Sequence, residues 1–96
     1  MPAATRIGDA DVAHCSGMTR AQGSPTVFVN SIAWSRQGDN NTTHLLPGVP
    51  CPSHAAPIAA GSSTVFVNSK GAGRVGDAIS GCTSVAAGSS NVFCGP

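Results

Sequence analysis

Charged residues are scarce in this 96-residue chain, at 9% of the sequence, and the formal net charge is only +1. Five Lys and Arg residues are too few for the basic patch that nucleic-acid binding requires. We therefore expect no nucleic-acid partner. Glutamate is absent altogether, which removes a common catalytic general base.

Long apolar runs are also missing. No stretch approaches the ~20 apolar residues of a membrane span, and no apolar stripe has helical spacing. The start, MPAATRIGDADVAH, has no apolar core of a secretory signal. We therefore expect a reducing cytosol, in which the four cysteines favour free or metal-binding thiols over disulfides.

The residues that are abundant favour a small all-β protein. Twelve Gly and seven Pro are typical of short strands joined by turns. A chain of this length predicts one domain over residues 1–96. Its core is marginal, so a bound metal is expected to stabilise it.

One motif occurs three times. Residues 6–14 read RIGDADVAH, residues 36–44 read RQGDNNTTH and residues 74–82 read RVGDAISGC. Each copy has an Arg, a Gly-Asp pair and, eight places after the Arg, a metal-capable residue. An internal repeat this regular constrains the fold before any other feature.

A second motif alternates with the first. It reads GSPTVFVNS at 23–31, GSSTVFVNS at 61–69 and GSSNVFCG at 88–95. The β-branched and aromatic run predicts a strand, and Asn is common in turns. The segment VFVN, a turn and the next RxGD motif therefore form one predicted β-hairpin, present in two complete copies.

The third hairpin is predicted to be split between the termini. Its first strand, NVFCGP, ends the chain, and its second strand, PAATRIGD, begins it. In repeat register the termini fall at the hairpin turn. Pairing of residues near 91–94 with residues near 2–7 would close three pseudo-three-fold units into a ring without unpaired strand edges.

The repeat also predicts a metal site. The segments 10–22, 40–60 and 78–87 would gather at one pole, and they carry His14, His44 and Cys82 at equivalent positions. The longest segment adds His54. Because Zn²⁺ takes four nitrogen or sulfur ligands in a tetrahedron, we expect one structural zinc. Cys51 remains an alternative ligand, since CPSH at 51–54 has C-x-x-H spacing.

The remaining repeated residues have structural interpretations. Three Arg–Asp sets are expected to fix turns and bridge neighbouring units, and a ligand role for these Asp residues is less favoured. Cys94 occupies the position of Val67 and is expected in the core, whereas Cys15 should point away from its neighbour His14. Trp34 has no repeat partner, so it is either a core filler or an exposed contact. A three-fold aromatic core is expected from Phe28, Phe66 and Phe93.

These motifs resemble the PAAR-repeat proteins. The opening PAATR is similar to the Pro-Ala-Ala-Arg motif, and GSxxVFVN followed by GxxRVGD is similar to the shared core of that family. The resemblance covers essentially the whole chain. GAGR at 71–74 and SIAWSR at 31–36 depart from the tetrapeptide but keep the register.

The resemblance implies a small cone of β-hairpins with zinc near its apex, bound by His14, His44, His54 and Cys82. It implies a structural, non-enzymatic tip that caps and sharpens a homotrimeric VgrG-like or phage central-spike protein, with one copy per trimer. Such tips belong to type VI secretion systems and contractile phage tails, and they puncture membranes rather than reside in them. Assembly in the bacterial cytoplasm, followed by export or incorporation into a virion, is implied. Effector cargo is possible in this family, and we expect no effector extension here.

Two other function classes stay open on the sequence alone. Three histidines with water in the fourth position could form a small zinc hydrolase, for which Asp11 is the remaining candidate base outside the repeated turns. A cytosolic metal-binding adaptor module is the other alternative, but it gives no reason for a three-fold repeat.

Overall fold

The chain is described by a computed structural model over residues 1–13, 17–42, 44–45 and 53–95, with backbone alone for residues 44, 45, 53 and 54. Within these residues all regular structure is short strands, and no helix is present. The strands are β1 (Phe28–Val29), β2 (Ile32–Ala33), β3 (His44–Leu45), β4 (Ser53–His54), β5 (Phe66–Val67) and β6 (Lys70–Gly71). The described part of the chain is therefore all-β, as predicted.

Two of the antiparallel pairs are tight hairpins made by the VFVNS motif. Strand β1 pairs with β2, and β5 pairs with β6. The two turn residues of each hairpin have positive φ angles, with 54° and 65° at Asn30 and Ser31 and 53° and 67° at Asn68 and Ser69. Positive φ at both central positions is typical of the type I′ turn, whose twist matches that of the flanking strands.

The two ends of the chain lie side by side. Ala3 and Phe93 form an antiparallel bridge. The Ala4 N–H donates to the Val92 carbonyl at 3.0 Å, and the Cys94 N–H donates to the Pro2 carbonyl at 2.9 Å. These contacts join residues 2–4 to residues 92–94, where the repeat register predicts a hairpin split between the termini.

Three equivalent residues form a closed triangle of backbone hydrogen bonds. The Thr5 N–H donates to Gly73 O at 3.1 Å, the Gly73 N–H to Ser35 O at 2.9 Å, and the Ser35 N–H to Thr5 O at 3.0 Å. Each of these residues directly precedes the Arg of an RxGD motif, and all three are buried. The described residues of the three units are thus linked in a cycle around a common centre.

The RxGD motifs form tight turns. In the first copy, the Asp9 N–H donates to the Arg6 carbonyl at 3.0 Å, and Gly8 between them has φ of +90°. The equivalent glycines have φ of +87° and +93°. Positive φ at the third position is typical of a type II turn and favours Gly strongly, which explains the Gly-Asp pair.

Most of the buried apolar residues that the structure describes form two clusters. One contains Ala56, Ile58, Ile79 and Val85, with Val75 and Cys82 packed against it. The other contains Val67, Ala72 and Cys94, with Val27, Trp34 and Val65 packed against it. Cys94 is thus a core residue, as predicted. Trp34 is a partly buried core filler whose Nε1–H donates to the Gly73 carbonyl at 2.9 Å.

The prediction of a three-fold phenylalanine core is wrong. Phe28, Phe66 and Phe93 are 57%, 61% and 53% exposed. Side chains alternate between the two faces of a strand, and the neighbours Val29, Val67 and Cys94 take the inward positions. The centre of the ring is occupied instead by small residues, among them Thr5 and Ser35.

Candidate metal centre

The three segments that carry the candidate ligands are each closed at their base by a backbone hydrogen bond. The Asp11 N–H donates to Met18 O at 3.1 Å, the Asn41 N–H to Ala56 O at 3.0 Å, and the Ile79 N–H to Thr83 O at 2.8 Å. Asp11, Asn41 and Ile79 each lie five residues after the Arg of their motif. The three segments are therefore equivalent loops of different length.

Hydrogen bonds between the loops hold their bases together. The Val12 N–H donates to Ser84 O at 2.8 Å, the Thr42 N–H to Thr19 O at 2.8 Å, and the Ser80 N–H to Pro57 O at 2.9 Å. Each bond joins one loop to the next in the same cyclic order. The bases of all three loops consequently lie at one pole of the part of the fold that the structure describes.

Two of the predicted ligands are brought together by the backbone. In the antiparallel pair β3–β4, His44 and His54 are direct cross-strand partners. The sequence predicts that both histidines lie on the middle segment, but the pairing itself was not predicted. It places their Cα positions opposite each other in a short ribbon.

Cys82 lies at the base of the third loop. Its thiol is half-buried against the apolar cluster that contains Ile58 and Ile79. Asn41 Nδ2 lies 4.0 Å from its Sγ, and Asn41 Oδ1 accepts the Ala56 N–H at 2.9 Å. Burial raises the pKa of the Cys82 thiol, and the contact with the Asn41 amide opposes this effect.

The rest of the ligand prediction lies outside the described residues. His14, Cys15 and Cys51 belong to the undescribed segments, so the four-ligand set and its Cys51 alternative stay predictions. Where the structure describes the chain, no three His, Cys, Asp or Glu residues form a group that could hold a metal ion. That description includes His44 and His54 by backbone only.

The RxGD aspartates have the structural role that the sequence predicts. Each forms an ion pair with the Arg three residues earlier, at 2.9, 2.9 and 2.7 Å. Each Arg also reaches a hairpin turn of another unit through Nη1, which donates to Asn30 Oδ1, Asn68 Oδ1 or the Gly95 carbonyl at 3.1, 3.0 and 3.0 Å. The three sets therefore fix turns and bridge units at the same time.

Sequence reasoning missed a buried ion pair beneath the loops. Asp11 Oδ2 lies 3.2 Å from Arg20 Nη2, and both side chains are fully buried. Burial lowers the pKa of the Arg20 guanidinium, while the charges of Asp11 and Asp39 oppose this. Asp11 was the candidate base of the hydrolase alternative, and its engagement by Arg20 argues against that role.

The signal for this pair was present in the repeat. Asp11 is equivalent to Asn41 and Ile79. Arg20 is equivalent to Ile58 and Val85, because the N–H of each of these three residues donates to the backbone carbonyl of the Asp in its own RxGD motif. One unit thus carries an acid and a base where another carries two apolar residues. The exchange at Asp11 is visible in the repeated motif, but the loops differ in length, so the equivalence of Arg20 follows from these hydrogen bonds.

Over the described residues no helix is long and apolar enough to cross a membrane. A family model described as the PAAR motif matches residues 48–96, just over half of the chain. No curated protein matches the chain.

Proposed function

Because this chain belongs to the PAAR-motif family, we propose that it is the spike tip of a type VI secretion system, a contractile phage tail or a related injection machine. In this role it is a structural protein and not an enzyme. The observation that carries the proposal is the closed cycle of Thr5, Ser35 and Gly73. A single chain with three equivalent units can present the same surface to each subunit of a homotrimer.

The proposed architecture is one domain over residues 1–96, a cone of three hairpins with zinc near its apex. The overall dimensions of 39 × 23 × 22 Å support this, because two nearly equal short axes are expected of a body with axial pseudo-symmetry. Along each unit, the RxGD turn separates the hairpin from the ligand loop. The hairpins would therefore form the base and the loops the apex.

We assign the zinc to His14, His44, His54 and Cys82. Cross-strand partners have Cβ atoms about 4.5–5.5 Å apart, which suits the pair His44 and His54 to one ion. Three nitrogens and one sulfur form a closed structural site with no open position for water. Zinc bound in this way would supply about 10–16 kcal/mol of folding free energy, comparable to the ~5–15 kcal/mol stability of a whole domain.

Replacement of single candidate ligands by alanine tests this assignment. The four variants, with Cys51→Ala as the matched control, are refolded with zinc and analysed for bound metal. We expect one zinc per chain in the parent and in Cys51→Ala, and loss of stoichiometric zinc when His14, His44, His54 or Cys82 is replaced. Zinc retained in Cys82→Ala but lost in Cys51→Ala would make Cys51 the fourth ligand.

The proposed partner is a homotrimeric VgrG-like or phage spike protein, bound with one copy of this chain per trimer. Three exposed aromatic residues at equivalent positions, Phe28, Phe66 and Phe93, provide the anchors at the base. Aromatic side chains commonly dominate the energetics of protein interfaces. With so few charges in the chain, the affinity should depend only weakly on salt.

The anchors are tested by replacing all three phenylalanines with serine. The control is Val12→Ser, which removes another exposed apolar residue, 47% exposed, from a ligand loop. We expect the triple variant to keep its zinc and lose binding to a cognate spike trimer, while the control binds like the parent. Native mass spectrometry should give one chain per trimer. Three chains per trimer, or unchanged binding of the triple variant, would contradict the tip assignment.

The proposed role also implies where the protein is located at each stage. The tip would assemble on its spike in the bacterial cytoplasm and then leave the cell on the apparatus, or become part of a phage virion. It would puncture a membrane without residing in it, and effector cargo could travel with it.

A further inference from the structure

Each hairpin begins a ladder of paired segments that runs to the base of a ligand loop. From the first hairpin onward, backbone hydrogen bonds of 3.1, 2.9 and 3.1 Å join successive segments, from Ile7 N–H to Ala33 O, from Gly8 N–H to Arg20 O, and from Ala21 N–H to Asn40 O. Equivalent bonds build the other two ladders. The outermost strand of each hairpin therefore lies at the opposite end of its ladder from the ligand loops.

These outermost strands, residues 27–29, 65–67 and 92–94, are called the edge strands below. The first residue of each is held on its inner side, because the carbonyls of Val27, Val65 and Val92 accept the N–H groups of Trp34, Ala72 and Ala4, at 3.1, 3.0 and 3.0 Å. Successive backbone groups of a strand face opposite sides of the ladder. The N–H and C=O of the next residue, which is Phe28, Phe66 or Phe93, therefore point away from the ladder.

Two observations agree with this direction. The carbonyl of Ala33, the cross-strand partner of Phe28, is directed to the far side of its strand, where it accepts the Ile7 N–H. In the part of the chain that the structure describes, no backbone hydrogen bond involves Phe93. Each ladder thus ends in an open edge with one backbone donor and one backbone acceptor facing outward.

The edge strands lack the residues that usually keep an open edge from pairing. Natural sheets commonly place Lys, Pro or a bulge on such an edge. Here the three edge strands read VFV, VFV and VFC, without charge or proline, and their phenylalanine side chains are exposed. β-Branched and aromatic residues favour pairing with a further strand. The three edges are therefore suited to accept strands from a partner.

We propose that the base of the tip binds its spike by β-strand addition, with one extended segment from each subunit of the homotrimer pairing with one edge strand. Main-chain hydrogen bonds supply affinity in this mode of recognition, and the phenylalanine rings pack against side chains of the added strands. The spike then continues all three ladders. This inference rests on the proposed function and adds the backbone of the edge strands to its binding groups.

The size of the base explains why backbone pairing is needed. The two short axes measure 23 and 22 Å, so the end face offers roughly 400–500 Å² to a partner, against the ~800 Å² per partner of a standard specific interface. Three sets of main-chain hydrogen bonds strengthen a contact of this limited area. A second copy of this chain, paired base to base, is the competing occupant that the experiment must separate from the spike.

A semisynthetic chain blocks one edge without changing any side chain. A synthetic peptide of residues 82–96 is ligated through Cys82 to a recombinant thioester of residues 1–81. In the test chain the Phe93 nitrogen is methylated, which removes the outward N–H and obstructs an added strand. In the matched control the Ser90 nitrogen is methylated. Ser90 is exposed, and Pro25 at the equivalent position shows that an N-substituted residue fits there.

We expect the unmodified chain and the Ser90 control to bind a cognate spike trimer equally, and the N-methyl-Phe93 chain to bind about tenfold more weakly. Circular dichroism should be the same for all three free chains. Equal binding by the two methylated chains would overturn strand addition and leave the tip role intact, whereas no binding by the unmodified chain would refute the proposed function itself. A dimer of the free chain that methylation of Phe93 dissociates would make the second copy the occupant and overturn the proposal.

Hydrogen exchange on the unaltered protein covers the case in which the methylated chain does not fold. We expect the amides of Phe28, Phe66 and Phe93 to exchange rapidly in the free tip and at least about tenfold more slowly in the spike complex. The Cys94 amide, which already donates to the Pro2 carbonyl at 2.9 Å, is the internal reference and should change little. Phenylalanine amides that exchange equally fast in the free and bound tip would overturn strand addition.

Discussion

Each aspartate of the RxGD turns satisfies both the backbone and the side chain of its arginine. Asp39 accepts hydrogen bonds from the N–H, Nε and Nη2 of Arg36, at 2.8, 2.9 and 3.0 Å. These side-chain hydrogen bonds raise the pKa of the Arg36 guanidinium. Because Asp39 is buried, little water is available to replace the carboxylate when it is removed.

Replacing Asp39 with alanine should therefore lower the free energy of unfolding by more than an ordinary surface substitution does. The Arg36 N–H and guanidinium would lose their acceptor, and we expect the free energy of unfolding of the zinc-loaded protein to fall by about 2–3 kcal/mol. The control is Gln37→Ala in the same turn. Gln37 is exposed, so its change should stay within about 0.5 kcal/mol. Chemical denaturation measures both, and equal losses would contradict this account of the motif.

At the scale of single elements, the two hairpin turns contain backbone strain that a substitution can relieve. Ser31 and Ser69 have φ of 65° and 67°, a left-handed conformation that costs a residue with a Cβ roughly 1–2 kcal/mol. Glycine avoids this cost but loses about 0.5–1 kcal/mol through its greater freedom in the unfolded chain. The balance favours glycine at both positions.

Substitution of Ser31 and Ser69 by glycine should therefore stabilise the protein by about 0.5 kcal/mol per site. The matched control is Ser63→Gly, because Ser63 is also exposed but does not have positive φ. The control should lower the free energy of unfolding by ~0.5 kcal/mol. The three variants are compared by thermal and chemical unfolding with zinc bound, and stabilisation by Ser63→Gly alone would be evidence against a type I′ turn.

The elements that sequence predicts well are those decided by neighbouring residues. The turns at Asn30 and Asn68 and the RxGD turns depend on local backbone preferences, which a short motif carries with it. Whether the Phe28 side chain points inward or outward depends instead on the space at the centre of the ring, which is small. The partner of Asp11 is nine residues away across a loop, and Arg20 lies outside the repeated motifs. Burial and pairing of this kind follow from the assembled ring rather than from local sequence.

In the candidate metal centre, too, some features follow from the sequence and others only from the assembled ring. The register of His44 and Cys82 on equivalent loops follows from the repeat alone. The pairing of His44 with His54 across β3 and β4 does not, because strands of two residues leave almost no periodic signal. The contact between Asn41 and Cys82 joins two units, so no single motif could reveal it.

At the scale of the whole molecule, the ring is closed by non-covalent bonds between the termini. The Cys94 N–H donates to the Pro2 carbonyl at 2.9 Å. At the equivalent place in the other two hairpins, a covalent turn joins the two strands. If the three units are equivalent, the position of the break in the chain should matter little. The fold should tolerate a break at any hairpin turn and should not tolerate one inside an RxGD turn.

Circular permutation tests this equivalence. Residues 96 and 1 are joined through a short glycine linker, and the chain is reopened between Ser69 and Lys70, both exposed residues of the second hairpin. We expect this permutant to fold and to bind zinc with the stoichiometry of the parent. The control is reopened between Gly38 and Asp39, which removes the covalent link that holds the Asp39 N–H against the Arg36 carbonyl at 2.9 Å. The control should lose several kcal/mol because a buried, charge-assisted turn is broken. Circular dichroism and zinc analysis distinguish the two, and a folded control beside an unfolded hairpin permutant would show that the three units are not interchangeable.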